Sequence, residues 1–392
     1  MDQQRIIEVL WNIGQFFVHP VFYLAIAAAI ATGYFRVKKE RKDFRTRLHY
    51  GWGEVSSIFK HSWLYSLIIS CVLILIGVVI YPEFLVLLAA VALIALIVFQ
   101  FQALSSAYLI PTAVGLWAVL HQLSYTIYLG PLTISATEFS VNTIWPLALL
   151  IGLLLIAEGL LVKKQGLDIV SPQLIRTERG GTAVQYKTKR VWLLPFLFLI
   201  PGDWFGEFNS IWPLIHFGET SFALVAFPFI TGFQQLSKKE YPFITVPRRA
   251  REFILLGSTI AAVSLLGIVV PVIGVIAMVV AFAGRLYLDS ANWRKQNTGH
   301  YAVAPISEGI QIAGVLSGSP AEKMGLRIGE RIMKVNGQRV ANEQELYEAI
   351  QINAAHCRLE VLDHNNELRL KQHVIFRHDH HRLGLMIARE TL

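Results

Sequence analysis

A bundle of membrane-spanning helices followed by a small β-rich module is the fold class this sequence predicts. Three observations predict it. Of 392 residues, 54% are hydrophobic and only 16% charged, against about 25% charged in soluble domains. Up to about residue 290 the apolar residues fall in long runs. Beyond residue 300 they fall in short alternating segments punctuated by Gly, Pro, Asn and Ser, the pattern of strands and turns. The expected organisation is a multi-span domain over 1–290, a linker over 291–300 and a soluble module over 301–392.

A helix needs roughly 20 apolar residues to cross a bilayer. The runs place candidate spans near 15–35, 63–81, 84–103, 107–129, 143–162, 191–208, 212–235, 253–270 and 271–288, which makes roughly eight or nine helices at that length. Tyr81-Pro82-Glu83 splits one run into a hairpin, because Pro breaks a helix and Glu stays in water. Val270-Pro271 divides the last run in the same way or kinks a single helix. Between 191 and 235, Pro201-Gly-Asp-Trp-Phe-Gly-Glu207 reads as an outer loop between two spans or as a re-entrant segment. The first run lacks a basic leader and is followed by a basic cluster, so it is expected to be retained rather than cleaved.

Charge orients the bundle. The net charge is +8, unevenly distributed. Residues 36–62 hold eight Lys/Arg (Arg36, Lys38, Lys39, Arg41, Lys42, Arg45, Arg47 and Lys60), residues 163–190 hold seven and 236–252 hold five. The alternate loops 82–83, 130–142 and 202–211 hold none. That bias predicts the basic segments and the C-terminal module on the cytoplasmic side. The N-terminus then lies outside if 15–35 spans, or residues 1–14 form an interfacial helix. The cluster at 36–47 is a topology signal and also a candidate contact for anionic lipid. No nucleic-acid partner is expected. Cys71 and Cys357 lie far apart, one in an apolar run and one in the module, so no disulfide framework is expected.

The module carries strong local signals. After the polar stretch Asn292–Gly299, Ile310–Leu316 alternates as a strand. Ser319-Pro320-Ala321-Glu322 reads as N-cap, first helical residue and capping box, and Gly325 ends that helix. Gly329 turns the chain into strand Arg331–Val335, and Asn336-Gly337 is a type I′ hairpin signal. Asn342 and Glu345 form a second capping box for a helix from Glu343 to about Ala354, with Leu346, Ala349 and Ile350 on one face. Arg358–Leu362 and Glu367–Ile375 read as a closing hairpin around His364-Asn365-Asn366.

The run Ser319–Val340 resembles a PDZ domain, and the resemblance covers about residues 305–389. It implies a groove in which backbone N–H groups of a Gly-containing loop hold a peptide carboxylate. The segment that fits is Leu383-Gly384-Leu385-Met386, followed by Ile387, in a permuted order. An extended peptide would then add beside Leu385–Ile387, with helix 343–354, through Leu346 and Ile350, as the other wall. The plainer alternative is a closing strand with a bulge.

No catalytic constellation is apparent, and neither a cofactor nor a metal is expected. His-Glu-x-x-His is absent, and His19, His121 and His216 are isolated. Ser105-Ser106 has no Lys or His at hand, and Gly314-Val-Leu-Ser317-Gly318 does not match a nucleophile elbow. Asp203 has no acidic partner. His373, His378, His380 and His381 lack the ligands to complete a zinc set. Glu158, inside a span, is expected to pair with Lys163 or to reach the interface; a transport role is the alternative.

The whole chain resembles the MinJ-type cell-division topological determinants in length, in its multiple spans, in the early basic run Tyr34-Phe-Arg-Val-Lys-Lys-Glu-Arg41 and in a C-terminal PDZ-like module ending in Leu383-Gly-Leu-Met-Ile387. The resemblance implies a non-enzymatic scaffold of the cell membrane, enriched at septa and poles. It would bridge the polar protein DivIVA to MinC/MinD and restrict septum placement, with other divisome membrane proteins as further partners. The alternatives are a PDZ-bearing adaptor of a secretion system or protease, and a transporter-like protein with a regulatory module.

Overall fold

The structure is a computed structural model that describes residues 14, 16–124, 126–129, 132–134, 139–178, 180–202, 214–217, 220–352, 356–374 and 383–388. The expectations for residues 1–13, Asp203, most of the loop 202–211, His378, His380 and His381 fall outside them.

Helices build most of the first 300 residues: α1 (Pro20–Phe44), the single turn α2 (Gly53–Ser56), α3 (Ser62–Ile76), α4 (Pro82–Ile97), α5 (Ser106–Gln122), α6 (Ile144–Gln165), α7 (Pro242–Leu265) and α8 (Val272–Asn297). Four helical stretches are long and apolar enough to cross a membrane: Pro20–Phe44, Val141–Gln165, Pro242–Ile268 and Val272–Asn297. Ser62–Ile76 and Pro82–Ile97 are apolar but shorter. The breaks fall where Gly and Pro act. Gly77 caps α3 at φ 77°, and Pro82 opens α4. A 3₁₀ turn at Leu266–Ile268 separates α7 from α8 just before Pro271. Helices α6 and α7 touch backbone to backbone. A methyl group at Gly152 would lie 2.5 Å from the Ala261 nitrogen, so only glycine allows this approach.

Two expected spans are not helices. Across 191–208 and 212–235 the chain forms strands in a four-stranded antiparallel sheet of order β3-β4-β6-β5, with β3 (Ser171–Arg176), β4 (Thr182–Pro201), β5 (Leu214–Phe217) and β6 (Thr220–Ser237). A separate small hairpin pairs β1 (Ile127–Leu129) with β2 (Leu132–Ile134). Hydropathy misleads here because strand and helix share composition. The apolar part of β4, 191–201, is too short for a helix but spans roughly 36 Å at 3.3 Å per residue, enough for a bilayer core of about 30 Å. Pro195 and Pro228 also break a helical reading. Strands β4 and β6 pair antiparallel from Tyr186↔Ser237 to Pro201↔Phe222, so the pair begins and ends at the same end of the sheet.

An open strand edge in an apolar layer needs partners for its backbone. On β4 they come from α3 and the segments that flank it. Leu193 N–H donates to the Ile58 carbonyl (3.1 Å), and Ser62 Oγ donates to the Leu193 carbonyl (2.7 Å). Leu197 N–H donates to Ser70 Oγ (2.9 Å), and Ile80 N–H donates to the Leu199 carbonyl (2.8 Å). Leu193, Leu197 and Leu199 thus point their backbone outward, and so does Pro195 by the same alternation. Pro195 has no N–H to satisfy, and it pairs with Pro228 across the hairpin. Proline is tolerated on such an outward rung. Ser62, Ser66 and Ser70 recur every four residues on α3 and are all buried.

Two expected loops are helical. The basic run 36–44 continues α1, and Asn292–Asn297 continues α8 rather than forming a linker. The α8 end is held by its polar side chains. Gln296 Oε1 accepts the Lys238 and Lys239 N–H groups at 2.8 and 3.1 Å, and Asn292 bonds Gln235.

The C-terminal module follows its local signals. A sheet runs in the order β11-β10-β8-β7-β12, with β9 paired to β8. Its strands are β7 (Ile310–Val315), β8 (Arg331–Val335), β9 (Gln338–Arg339), β10 (His356–Leu362), β11 (Leu368–Val374) and β12 (Leu385–Ile387). Ser319 caps α9 (Pro320–Lys323) and Asn342 caps α10 (Glu343–Gln351). Asn336 and Gly337 take φ 51° and 86°, as a type I′ turn requires. Ile312, Leu326, Ile332, Val335, Leu346, Ile350, Leu359 and Val361 are among the side chains that form its core.

Candidate functional site

Strand β12 is the outer strand of the module sheet, and Gly384 precedes it at φ 82°, a conformation that glycine adopts without strain. The Gly384 carbonyl accepts the Leu316 N–H (2.8 Å), and the Leu383 carbonyl accepts the Ala321 N–H (3.0 Å). A Cβ at Gly384 would collide with Ser319. Beside β12 lies a cleft of about 240 Å³, bounded by Leu316, by Gly384–Ile387 and by Glu343 and Tyr347 of α10. An edge strand facing a helix across a cleft is the geometry of peptide addition.

The sequence-predicted residues divide between cleft and core. Gly384, Leu385, Met386 and Ile387 line the cleft. Leu383 is buried beneath it, with Leu346 and Ile350 at 2% and 3% exposure inside the module core. The α10 wall is therefore Glu343 and Tyr347, one helical turn apart, rather than Leu346 and Ile350. The amphipathic pattern identifies the buried face of α10, and the cleft takes the flank of that face.

The third wall comes from the membrane domain: Phe44, Arg45 and Thr46 at the end of α1. A buried ion cluster fixes this end. Arg36 Nε lies 2.6 Å from Glu54 Oε1, and Nη1 lies 3.1 Å from Glu40 Oε1. The guanidinium also donates to the His49 and Tyr50 carbonyls (3.3 and 2.9 Å), and Leu48 N–H donates to Glu40 Oε2 (2.9 Å). Arg36 belongs to the cluster expected to meet lipid, but it is buried and paired because carboxylates on α1 and α2 converge on it. The Arg36–Glu40 spacing of four residues is the signal in the sequence that points to this.

The module is docked on the sheet of the membrane domain. Tyr186 Oη donates to the Ala313 carbonyl (3.0 Å), and Val184 N–H donates to the Val303 carbonyl (2.9 Å). Phe44, Val170, Leu174, Val184, Tyr186, Val303, Ala313 and Met386 form one apolar cluster across the junction. The segments 36–62, 163–190 and 236–252 gather at this end: Gln165 bonds the Lys60 carbonyl, Leu174 N–H donates to Asp43, and Ala302 N–H donates to the Lys238 carbonyl. Burial pushes the Cys357 thiol up to about 11, which leaves it an unreactive core residue.

Glu158 does not pair with Lys163. Its Oε1 lies 2.9 Å from Arg285 Nη1 on α8, and Ser105 Oγ donates to its Oε2 (2.7 Å). Arg285 Nε also pairs with Asp289 (3.2 Å), which binds Arg249 and accepts from Tyr108 Oη (2.8 Å). A facing helix supplies the counter-charge, because a carboxylate at the helix interior cannot reach its own end. The network joins α5, α6, α7 and α8. Among the described residues, no group of three or more His, Cys, Asp or Glu side chains is arranged to hold a metal ion.

Comparison with known proteins agrees with this anatomy. Residues 311–362 match the family model of the PDZ domain. Over 391 residues the chain is 29% identical to the cell division topological determinant MinJ of Bacillus subtilis (strain 168), across 100% of this chain and 97% of that protein. It is 24% identical over 382 residues to a probable cell division topological determinant MinJ of Lacticaseibacillus paracasei, across 94% of this chain and 95% of that one.

Proposed function

We propose that this chain, a homologue of the MinJ cell division topological determinants from end to end, is a non-enzymatic membrane scaffold that positions the division inhibitor system. In this reading it bridges a DivIVA-like polar scaffold to MinD, with MinC, and so restricts where the septum forms. The observation that carries the reading is end-to-end similarity to determinants of division topology in a chain that ends in a PDZ domain.

The module faces the cytoplasm in this reading, because the lysine- and arginine-rich segments that surround it are those retained inside during insertion. The cleft beside β12 is the candidate docking site. A partner's extended end adds along Leu385–Ile387 and meets Gly384, Glu343 and Tyr347, while main-chain bonding gives affinity. Ionic networks such as Glu158–Arg285 brace the helices that hold the module at the membrane.

A fluorescent fusion is expected at septa and poles, and deletion is expected to produce filaments or minicells. Co-purification from cells should recover the polar scaffold and MinD with the full chain and lose at least one of them without residues 300–392. Uniform membrane fluorescence with normal division would overturn the reading.

A further inference from the structure

A second cavity, of about 300 Å³, opens between α1, the Phe99 turn and strands β3 and β4. Its basic groups are Arg36, Lys39, Lys187 and Lys189, and no acidic residue lines it. Two of these cations are neutralised nearby: Arg36 by Glu40 and Glu54, and Lys39 by Asp43 at 3.0 Å. Among the described residues, neither Lys187 nor Lys189 forms an ion pair. They stand on one face of β4, two residues apart. The Lys189 ammonium donates to the Phe99 carbonyl (2.5 Å) and lies 3.6 Å from the centre of the Phe99 ring. These contacts aim it at the cavity and bring no negative charge, and an ammonium has three N–H groups to give.

Ser171 lies directly opposite Lys187 in the β3–β4 register and lines the same cavity. It is 2% exposed, and its hydroxyl has no hydrogen-bond partner among the described residues. A buried hydroxyl without a partner is costly, so its presence beside two ammonium groups without counter-ions points to an anionic acceptor. The remaining wall is formed by Phe35, Phe99 and Ile169, with Thr32 and Gln173 as the other polar lining. Phe35 is 56% exposed on α1, next to exposed Tyr34. The cavity lies where the charged half of β4 meets its apolar half.

We propose that this cavity binds a phosphate group carried by an anionic phospholipid headgroup. Lys187, Lys189 and the Ser171 hydroxyl donate to the phosphate oxygens, and Phe35 and Phe99 line the start of an acyl chain. Ammonium-to-phosphate bonds are the strong, charge-assisted kind, and basic pockets between membrane segments suit such headgroups. Burial and the neighbouring Lys187 lower the Lys189 ammonium to about 7, and a bound anion would oppose both effects.

The test uses the full chain in neutral detergent, with short-chain phosphatidylglycerol, short-chain phosphatidylcholine or inorganic phosphate added. Native mass spectrometry counts bound lipid, and the thermal unfolding midpoint reports its effect. Phosphatidylglycerol should bind and raise the midpoint, and phosphatidylcholine should not. The double variant Lys187→Gln/Lys189→Gln should lose both effects, and Lys187→Arg/Lys189→Arg should keep them. Ser171→Ala, a smaller change, should weaken binding roughly two- to ten-fold, the worth of one hydrogen bond. An equal response to inorganic phosphate, lost in the double Gln variant, would reject the lipid as the source. Unchanged phosphatidylglycerol binding in the double Gln variant or in Ser171→Ala would overturn the site.

Discussion

Arg36→Met tests whether the wall of the cleft is held by a buried charge. Glu40 and Glu54 are 0% and 4% exposed, and Arg36 is the cation paired with both. Removing it leaves Glu40 with the Leu48 N–H and deprives the Glu54 carboxylate of its ion pair. Breaking one side of a buried ion cluster costs about 3–5 kcal/mol. At roughly 1–2 °C per kcal/mol, scaled for a chain of this length, the unfolding midpoint in detergent should fall by about 3–10 °C. Residues 45–52 should become a preferred site of limited proteolysis, because their carbonyl anchors on Arg36 are gone. Arg36→Met/Glu40→Gln/Glu54→Leu should recover most of the loss: the charges are removed together, and the glutamine amide oxygen introduced by Glu40→Gln still accepts the Leu48 N–H. If Arg36→Met unfolds at the wild-type midpoint with 45–52 equally protected, the cluster does not hold the wall.

Three further outcomes follow from the same structure. Ser70→Ala removes the acceptor of the Leu197 N–H and should cost about 1–3 kcal/mol, read as faster hydrogen exchange at Leu197. Ser66→Ala should not change that exchange, since Ser66 bonds the Trp63 carbonyl of its own helix. Gly384→Ala forces a side chain into the left-handed region, at about 1–2 kcal/mol, and against Ser319. The module should lose stability by at least that amount, and peptide binding in the cleft should weaken; calorimetry with C-terminal peptides of candidate partners measures both. Phosphatidylglycerol binding should be strongest below pH 7 and weaken as pH rises through about 7, because Lys189 loses its charge there. The other charged groups facing it are Lys187, Lys39 and Arg36, the last two paired with carboxylates. Lys187→Gln should shift the profile upward by removing a like charge, and an affinity flat through neutrality would refute the assignment.

The module was legible in the sequence because its instructions are local. Ser319, Asn336-Gly337 and Asn342 each fix a cap or turn within a few residues, and their order sets the order of strands and helices. The breaks at Pro82 and Pro271 were legible for the same reason. The nature of 191–235 was not, because hydropathy measures transfer into an apolar layer and is blind to whether the backbone bonds internally or across strands. Pro195 and Pro228 were the local hint, each placed in the interior of its run and opposite the other across the hairpin.

The sequence by itself determined that an apolar, positively biased body carries a PDZ-like module, since composition, charge and turn chemistry need no distant partner. Only the tertiary structure decided which charges are buried and which lack a counter-ion. Arg36 and Glu158 find their counter-charges on segments 18 and 127 residues away, whereas Lys187 and Lys189 face Ser171 and a cavity without a carboxylate. It also decided that the cleft beside β12 is walled by Glu343, Tyr347 and the end of α1. Pairing between distant segments depends on packing geometry, and no residue's own preference encodes it.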